Sequence, residues 1–316
     1  MRDSYKLIAV AFSCILLCAM FISIGLTSDN YQYFLSRRIP KVLAMVAAGI
    51  AIGQSALVFQ TITHNRILTP SIMGFDSLYM FTQVLVVVIF GGMSSIALNA
   101  YINFSLSVLV MMGFSLLLFT FYFKGKSHNL MVLLLLGVIL GQLFSSISSF
   151  FTMLMDPNDF ASVQANMFAS FNNIKVELVY YCLPLLTVIS IALYRLSRVL
   201  DVLWLDRDNA TSLGVDVKRV TMQVLVLSAA LIAISTALIG PIMFFGLLVT
   251  NLARELFSSY QHKILICGVS LLSIALLLSG QWIVENLFDF STTISVVINF
   301  VGGIYFLTML LRNKIV

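Results

Sequence analysis

His64, His128 and His262 are the only histidines of the chain, and Cys14, Cys18, Cys182 and Cys267 are its four cysteines. Imidazoles and thiolates bind metals or act as nucleophiles only when partners converge at set spacings. No histidine here has a second His or Cys at ligand spacing, and all three fall at ends of apolar runs. Cys14 and Cys18 are four apart on one helix face, and the four thiols read as small apolar packing groups. The sequence has no Gly-rich phosphate loop and no serine nucleophile elbow. It therefore predicts no catalytic residue, no metal site, no resident cofactor and no nucleotide bound by this chain.

The chemistry that remains is hydrogen bonding from polar residues set in apolar surroundings. Gln54, Gln60, Gln83, Gln142, Asn251 and Asn299 all lie inside such runs. The stretch GQLFSSISSFF adds Ser145, Ser146, Ser148 and Ser149 on two adjoining helix faces. These hydroxyls either bond their own backbone four residues back or give a conduit a weakly polar lining. Charge is scarce at this depth. Asp76 and Glu285 come nearest, each close to the end of a run. A mid-bilayer carboxylate costs roughly 2.5–3.5 kcal/mol on insertion scales, a cost that ion-coupled carriers accept. The pattern reads as a wall around a pathway. If transport is active, its energy comes from another subunit.

The elements that must position these groups are membrane helices. Of 316 residues, 60% are hydrophobic and 10% charged, and mean hydropathy is +1.03. A soluble domain carries about 25% charge, so the bilayer is the expected solvent. Ten apolar runs are read: Leu7–Leu26, Val42–Gln60, Pro70–Phe90, Ala100–Phe123, Leu130–Leu154, Leu178–Tyr194, Thr221–Ile239, Pro241–Ala253, Ile264–Trp282 and Ile294–Leu311. The third and eighth are the weakest. The first is too long for a signal-peptide core and lacks a small-residue cleavage site, so it reads as a retained span. Ten spans put fourteen Lys and Arg residues on one side and four (Arg37, Arg38, Lys41 and Lys175) on the other. That bias predicts both termini in the cytoplasm. It also accounts for the net charge of +5 without any nucleic-acid partner. Gly49–Gly53 and Gly137–Gly141 are GxxxG spacings, read as close packing inside one bundle.

One segment breaks the apolar monotony. Arg198–Arg219 holds eight charged side chains: Arg198, Asp201, Asp206, Arg207, Asp208, Asp216, Lys218 and Arg219. Trp204, Leu205, Ala210, Leu213, Val215 and Val217 are interleaved with them, unlike a plain linker. The run DNATSLG predicts a short helix capped by Asp208 or Asn209, with Leu213 at its apolar tip and Gly214 as its stop. A second short helix is expected near Asp216, leading into the next span. The segment about 198–220 then forms a cytoplasmic knob suited to docking a partner.

LDRDNATSLGVDVKRV, followed after a span by IGPIMFFGLLVTNLARELF, resembles the FecCD-type permeases of bacterial ABC importers. The stretch RRIPKVLAMVAAGIAIGQSALVFQTITHNRILTPSIMGFDS resembles the same family's outer loop and second-span pattern. The resemblance covers nearly the whole chain. It implies an all-α polytopic permease, residues 1–316 as one domain, with about ten spans in the bacterial inner membrane and a cytoplasmic coupling-helix pair. It implies coupling to an ATPase groove through Asp208, Ala210, Leu213, Gly214 and Val215, and docking of an outside binding protein at Arg37, Arg38, Lys41 and Lys175. It points to Gln142, Ser145, Ser149 and Asn299 on the pathway, and to Met167, Phe168, Ala169 and Ser170 near a gate.

The implied partners are two cytoplasmic ATPase subunits, which hold the ATP and Mg, a substrate-binding protein, and a second permease. Iron would travel within the cargo. Some positions depart from the family pattern. VPHxxR is Val249-Thr250-Asn251-Leu252-Ala253-Arg254, AD is Ser279-Gly280, LPxG is Thr292–Ser295, and an expected Trp is Asn166. These departures resemble a subgroup importing ferric siderophores of catechol or mixed type through two distinct permease chains. A heterodimer is therefore expected over a homodimer. Haem or cobalamin import, and a stand-alone proton carrier using Asp76 or Glu285, remain the alternatives.

Overall fold

In lipid every backbone N–H and C=O must find its partner within the chain, so long apolar runs fold as helices. The computed structural model describes residues 2–24, 31–124, 130–172 and 174–311. Leu26, where the first run was expected to end, lies outside them, as do Lys126, His128, Arg312, Lys314 and the side chains of Arg2 and Lys124.

The helices in chain order are α1 (Arg2–Ser23), α2 (Tyr31–Thr63), α3 (Phe75–Phe90), α4 (Ser95–Leu98), α5 (Ala100–Lys124), α6 (Leu130–Leu154) and α7 (Pro157–Met167). There follow α8 (Val176–Arg195), α9 (Ser197–Leu203), α10 (Arg207–Ser212), α11 (Val217–Ile239), α12 (Phe245–Leu256), α13 (His262–Asn286) and α14 (Ile294–Leu311). Among the described residues there is no strand. Ten of these helices fall on the ten apolar runs. Seven are long and apolar enough to cross a membrane. The remaining three are α3, α14 and the 12-residue α12.

The ends of several runs differ from expectation. α2 begins at Tyr31 and passes through Pro40, so the basic RRIPK stretch is helical. Pro40 deprives the Ser36 carbonyl of its i+4 donor, but Ser36 is exposed and water can take that carbonyl. The third run opens as a 3₁₀ turn, Pro70–Met73, and turns at Gly74 into α3. Pro241 cannot continue a helix, and α12 starts only at Phe245.

α2 is the axle of the bundle. It is buried almost continuously from Ala44 to Ile62, packed against α8, α11, α12 and α13. A Cβ on Gly53 would stand 2.3 Å from Ser273 Oγ, and one on Gly141 would stand 2.7 Å from Gly74 Cα. Gly141 therefore meets Gly74 backbone against backbone, Gly53 admits the Ser273 side chain, and both GxxxG pairs pack within this chain. Polar groups inside the runs join helices. Gln54 Nε2 donates to Ser270 Oγ at 3.0 Å, and Ser190 Oγ donates to Gln54 Oε1 at 2.7 Å. Gln83 Nε2 donates to Asn103 Oδ1 at 2.8 Å and to Ser107 Oγ at 3.0 Å. Cys14 and Cys182 are buried among apolar neighbours, and none of the four thiols forms a disulfide.

Candidate translocation cavity and docking ends

A cavity of about 480 Å³ lies among the head of α3, the C-terminal half of α6, the end of α7, the Pro241–Met243 turn and the head of α14. Ser145, Ser149, Met167, Phe168 and Asn299 line it, together with Asp76, Met80, Ser148, Thr152, Met153, Met243 and Ser295. Five residues expected on a pathway or gate thus meet in one place. Gln142 and Ser170 do not line it. Gln142 shares the stripe of Ser145 and Ser149 but sits about one turn beyond the cavity, exposed. Ser170 belongs to the turn after α7, where its backbone N–H bonds the Ile239 carbonyl at 3.0 Å and its hydroxyl accepts from Asn172 N. Ala169, fully buried, fills the space against Gly240.

Ser148 and Ser149 bond their own helix and also line the cavity. Ser148 and Ser149 donate to the carbonyls of Phe144 and Ser145, at 2.7 and 2.9 Å. With their protons used internally, these hydroxyls offer the cavity only weak acceptors, a surface polar enough to wet. Asn299 Oδ1 accepts from Phe244 N at 3.4 Å, tying α14 to the turn before α12.

Asp76 carries the one charge on this wall. It is 5% exposed, and neither carboxylate oxygen has an aligned hydrogen bond, although the Ser71 hydroxyl approaches it. The N-terminus of α3 gives the carboxylate some dipole support. Met80, Met153 and Met243 on the wall escape sequence reasoning because a thioether reads as core. TPSIMG, a Pro–Gly-bounded break ahead of Asp76, is the signal that could have flagged the head of α3.

At one end of the bundle, α9, α10 and the start of α11 build the polar knob. The cap of α10 is Asp206, not Asp208 or Asn209. Its Oδ1 accepts from Arg207 N at 2.6 Å, because the chain must already turn at Leu205 to leave α9. Asp208 falls in the first helical turn, exposed. Gly214 adopts φ +83°, and the N–H groups of Gly214 and Val215 close the helix onto Thr211 and Ala210. The expected second short helix is simply the first turn of α11, capped by Asp216. Ala210 is fully buried and seats the knob, so it is no surface contact. Leu205 and Leu213 are about two-thirds exposed, Gly214 is open, and Val215 is half-buried.

The four basic residues expected to dock a partner lie at the opposite end, and they differ in how free they are. Arg38 donates through Nη1 to the carbonyls of Ile22 and Ile24, closing the end of α1. Lys41 pairs with Glu285 Oε1 at 2.7 Å and donates to Asn172 Oδ1 at 2.9 Å. Gln281 holds the same two acceptors. Arg37 and Lys175 are exposed. A second cavity of about 500 Å³ is lined by Arg37, Pro40, Lys41, Phe171 and Asn172 among others.

A helical bundle built on one buried axle, with a hydroxyl-lined interior cavity and a capped polar knob, has the layout of a membrane permease. Residues 6–312 match the FecCD transport family, and the chain belongs to it. Among relatives, the petrobactin import system permease protein YclO of Bacillus subtilis (strain 168) is 49% identical, over 99% of both chains. The petrobactin import system permease protein FatC of Bacillus anthracis is 34% identical, over 92% of this chain and 82% of that one. A solved ABC transporter described as metal-chelate type, in an inward-facing conformation, superposes with TM-score 0.85 at 26% identity, covering 98% of this chain and 99% of the other.

Proposed function

We propose that this chain is the transmembrane permease subunit of an ATP-driven importer for a ferric siderophore, of the petrobactin kind named for its two relatives. The observation that carries the reading is the full-length 49% identity to YclO, over a chain with a cavity of about 480 Å³ lined largely by hydroxyls and thioethers. Such a wall suits a bulky cargo that must slide and not stick. It offers no ligand set for iron, and the described residues hold no His, Cys or acidic cluster for a metal. The siderophore keeps its metal throughout.

In this reading the knob faces the cytoplasm, with both termini, and Leu205, Leu213 and Gly214 meet one of two ATPase subunits that hold the ATP and Mg. Arg37, Lys175 and the Lys41 region face an outside binding protein. A second, paralogous permease covers the apolar side chains flanking the cavity, such as Phe150, Met153, Val296 and Phe300, which are exposed in this chain. Closure of the ATPases pulls the knob and alternates which end of the cavity is open.

A proton-driven carrier would have to work through Asp76, because Glu285 is committed to Lys41. Reconstituted transport separates the two. Uptake of radioiron-labelled siderophore should need the second permease, the ATPase and ATP, and should resist an uncoupler. Uptake by this chain alone, abolished by the uncoupler, would overturn the proposal.

A further inference from the structure

At the knob end a third cavity, of about 210 Å³, opens between the end of α12, the start of α13 and Trp204. Its wall carries two guanidinium groups, Arg66 and Arg254, and the residues Ser258, Ser259, Tyr260 and His262. Arg254 is the last residue of the VTNLAR motif, which the transport reading leaves without a task. Its Nε and Nη2 atoms are buried and have no hydrogen-bond partner. Its guanidinium lies 4.6 Å from the centroid of the Trp204 ring, which holds its plane.

No ion pair among the described residues involves either arginine. The acidic groups bonded to this wall are already used. Asp201 accepts from His262 N at 2.6 Å and meets its Nδ1 at 2.7 Å. Asp3 accepts from Ser258 N and pairs with Lys6.

The site is also built with care on its other flank. The Arg66 carbonyl accepts from Gln60 Nε2 at 2.6 Å and from Asn251 Nδ2 at 3.1 Å, so two amides fix the loop that presents Arg66. Two like charges held beside one cavity, neither of them in an ion pair, repel each other and give up hydration. An oxyanion relieves both costs. Two guanidinium forks and three hydroxyls supply more donors than the two oxygens of a carboxylate accept, and they match a phosphate group. The depth fits as well. Arg254 and His262 stand at ends of apolar helices, and Trp204 and Tyr260 are the amphipathic rings that favour the headgroup level.

We propose that the Arg66–Arg254 cavity is a phosphate-binding site at the membrane surface, filled by the headgroup of an anionic phospholipid or by soluble phosphate. Trp204 can report on it. The chain has two tryptophans, and Trp282→Phe leaves Trp204 as the only one. Fluorescence of that protein is titrated with inorganic phosphate in detergent, and compared in nanodiscs of phosphatidylcholine with and without phosphatidylglycerol. Saturable binding of inorganic phosphate at millimolar levels or below assigns a soluble ligand. A response confined to phosphatidylglycerol discs assigns a lipid. In either case Arg254→Gln should weaken binding at least tenfold, and Arg66→Gln, on a loop, serves where Arg254→Gln does not fold. No saturable response in either medium, or equal affinity in the folded variants, overturns the proposal. Acetate matching phosphate in affinity also overturns it, and points to a protein carboxylate as the natural occupant.

Discussion

Lys41 Nζ lies 2.7 Å from Glu285 Oε1, joining the first third of α2 to the last turn of α13 across 244 residues of sequence. Asn172, in the turn after α7, bonds Lys41, and Gln281 bonds Asn172 and Glu285. The four residues clamp the end of the bundle where Arg37, Arg38, Lys41 and Lys175 were expected to meet a partner. Both charged side chains are 18% exposed, so the pair is screened less than a surface ion pair. Glu285→Gln should lower stability by about 1–2 kcal/mol, since it leaves Lys41 with only amide and water partners. Thermal melting in detergent checks this, and an unchanged melting temperature would show that the clamp carries no energy.

Arg37 and Arg38 are neighbours with different tasks. Arg38 closes α1 through two carbonyls, so Arg38→Glu should cost stability directly, by about 1–3 kcal/mol, whether or not a binding protein is present. Arg37 is exposed, with its guanidinium 5.7 Å from the centroid of the Tyr33 ring, and Arg37→Glu should change the melting temperature little while weakening docking, more at low salt, where exposed charges are least screened. Docking measured by surface plasmon resonance at two salt concentrations separates them. Equal effects of both substitutions on docking, with no change in melting, would contradict the division.

The knob makes a similar pair. Leu213 is exposed and Ala210 is buried. Leu213→Asp should leave expression and melting unchanged and uncouple ATP hydrolysis from uptake. Ala210→Leu should overpack the seat of α10 and destabilise by about 1–3 kcal/mol. The readouts are ATPase activity and uptake in proteoliposomes. Normal uptake by Leu213→Asp would remove the docking assignment.

Asp76 predicts a gain. A buried carboxylate without an aligned partner costs desolvation, so Asp76→Asn should raise the melting temperature by several degrees at constant volume. A fall in melting temperature would reveal a partner that stabilises the charge. Uptake measured on the same protein tells whether the charge serves transport.

Much of this protein is decided locally, and so the sequence shows it. The ten runs fold as ten helices because in lipid a helix satisfies every backbone group within its own segment. DRDNATSLGVDV forms a capped helix with a glycine stop because its caps lie within a few residues of it. The family pattern is likewise carried by contiguous motifs. Other properties depend on distant neighbours. Nothing near Ser145 in sequence separates it from Gln142 on the same stripe. Only the arrival of α3, α7 and α14 gives one residue a cavity and leaves the other exposed. Lys41 and Arg38 read alike as free outer charges, until Glu285 and the end of α1 come against them. Arg254 looks like any basic span end, yet packing strips two of its nitrogens of partners beside Arg66. Helix formation and capping need only short-range chemistry. The fate of a polar side chain is set by which helix packs beside it, and that is tertiary.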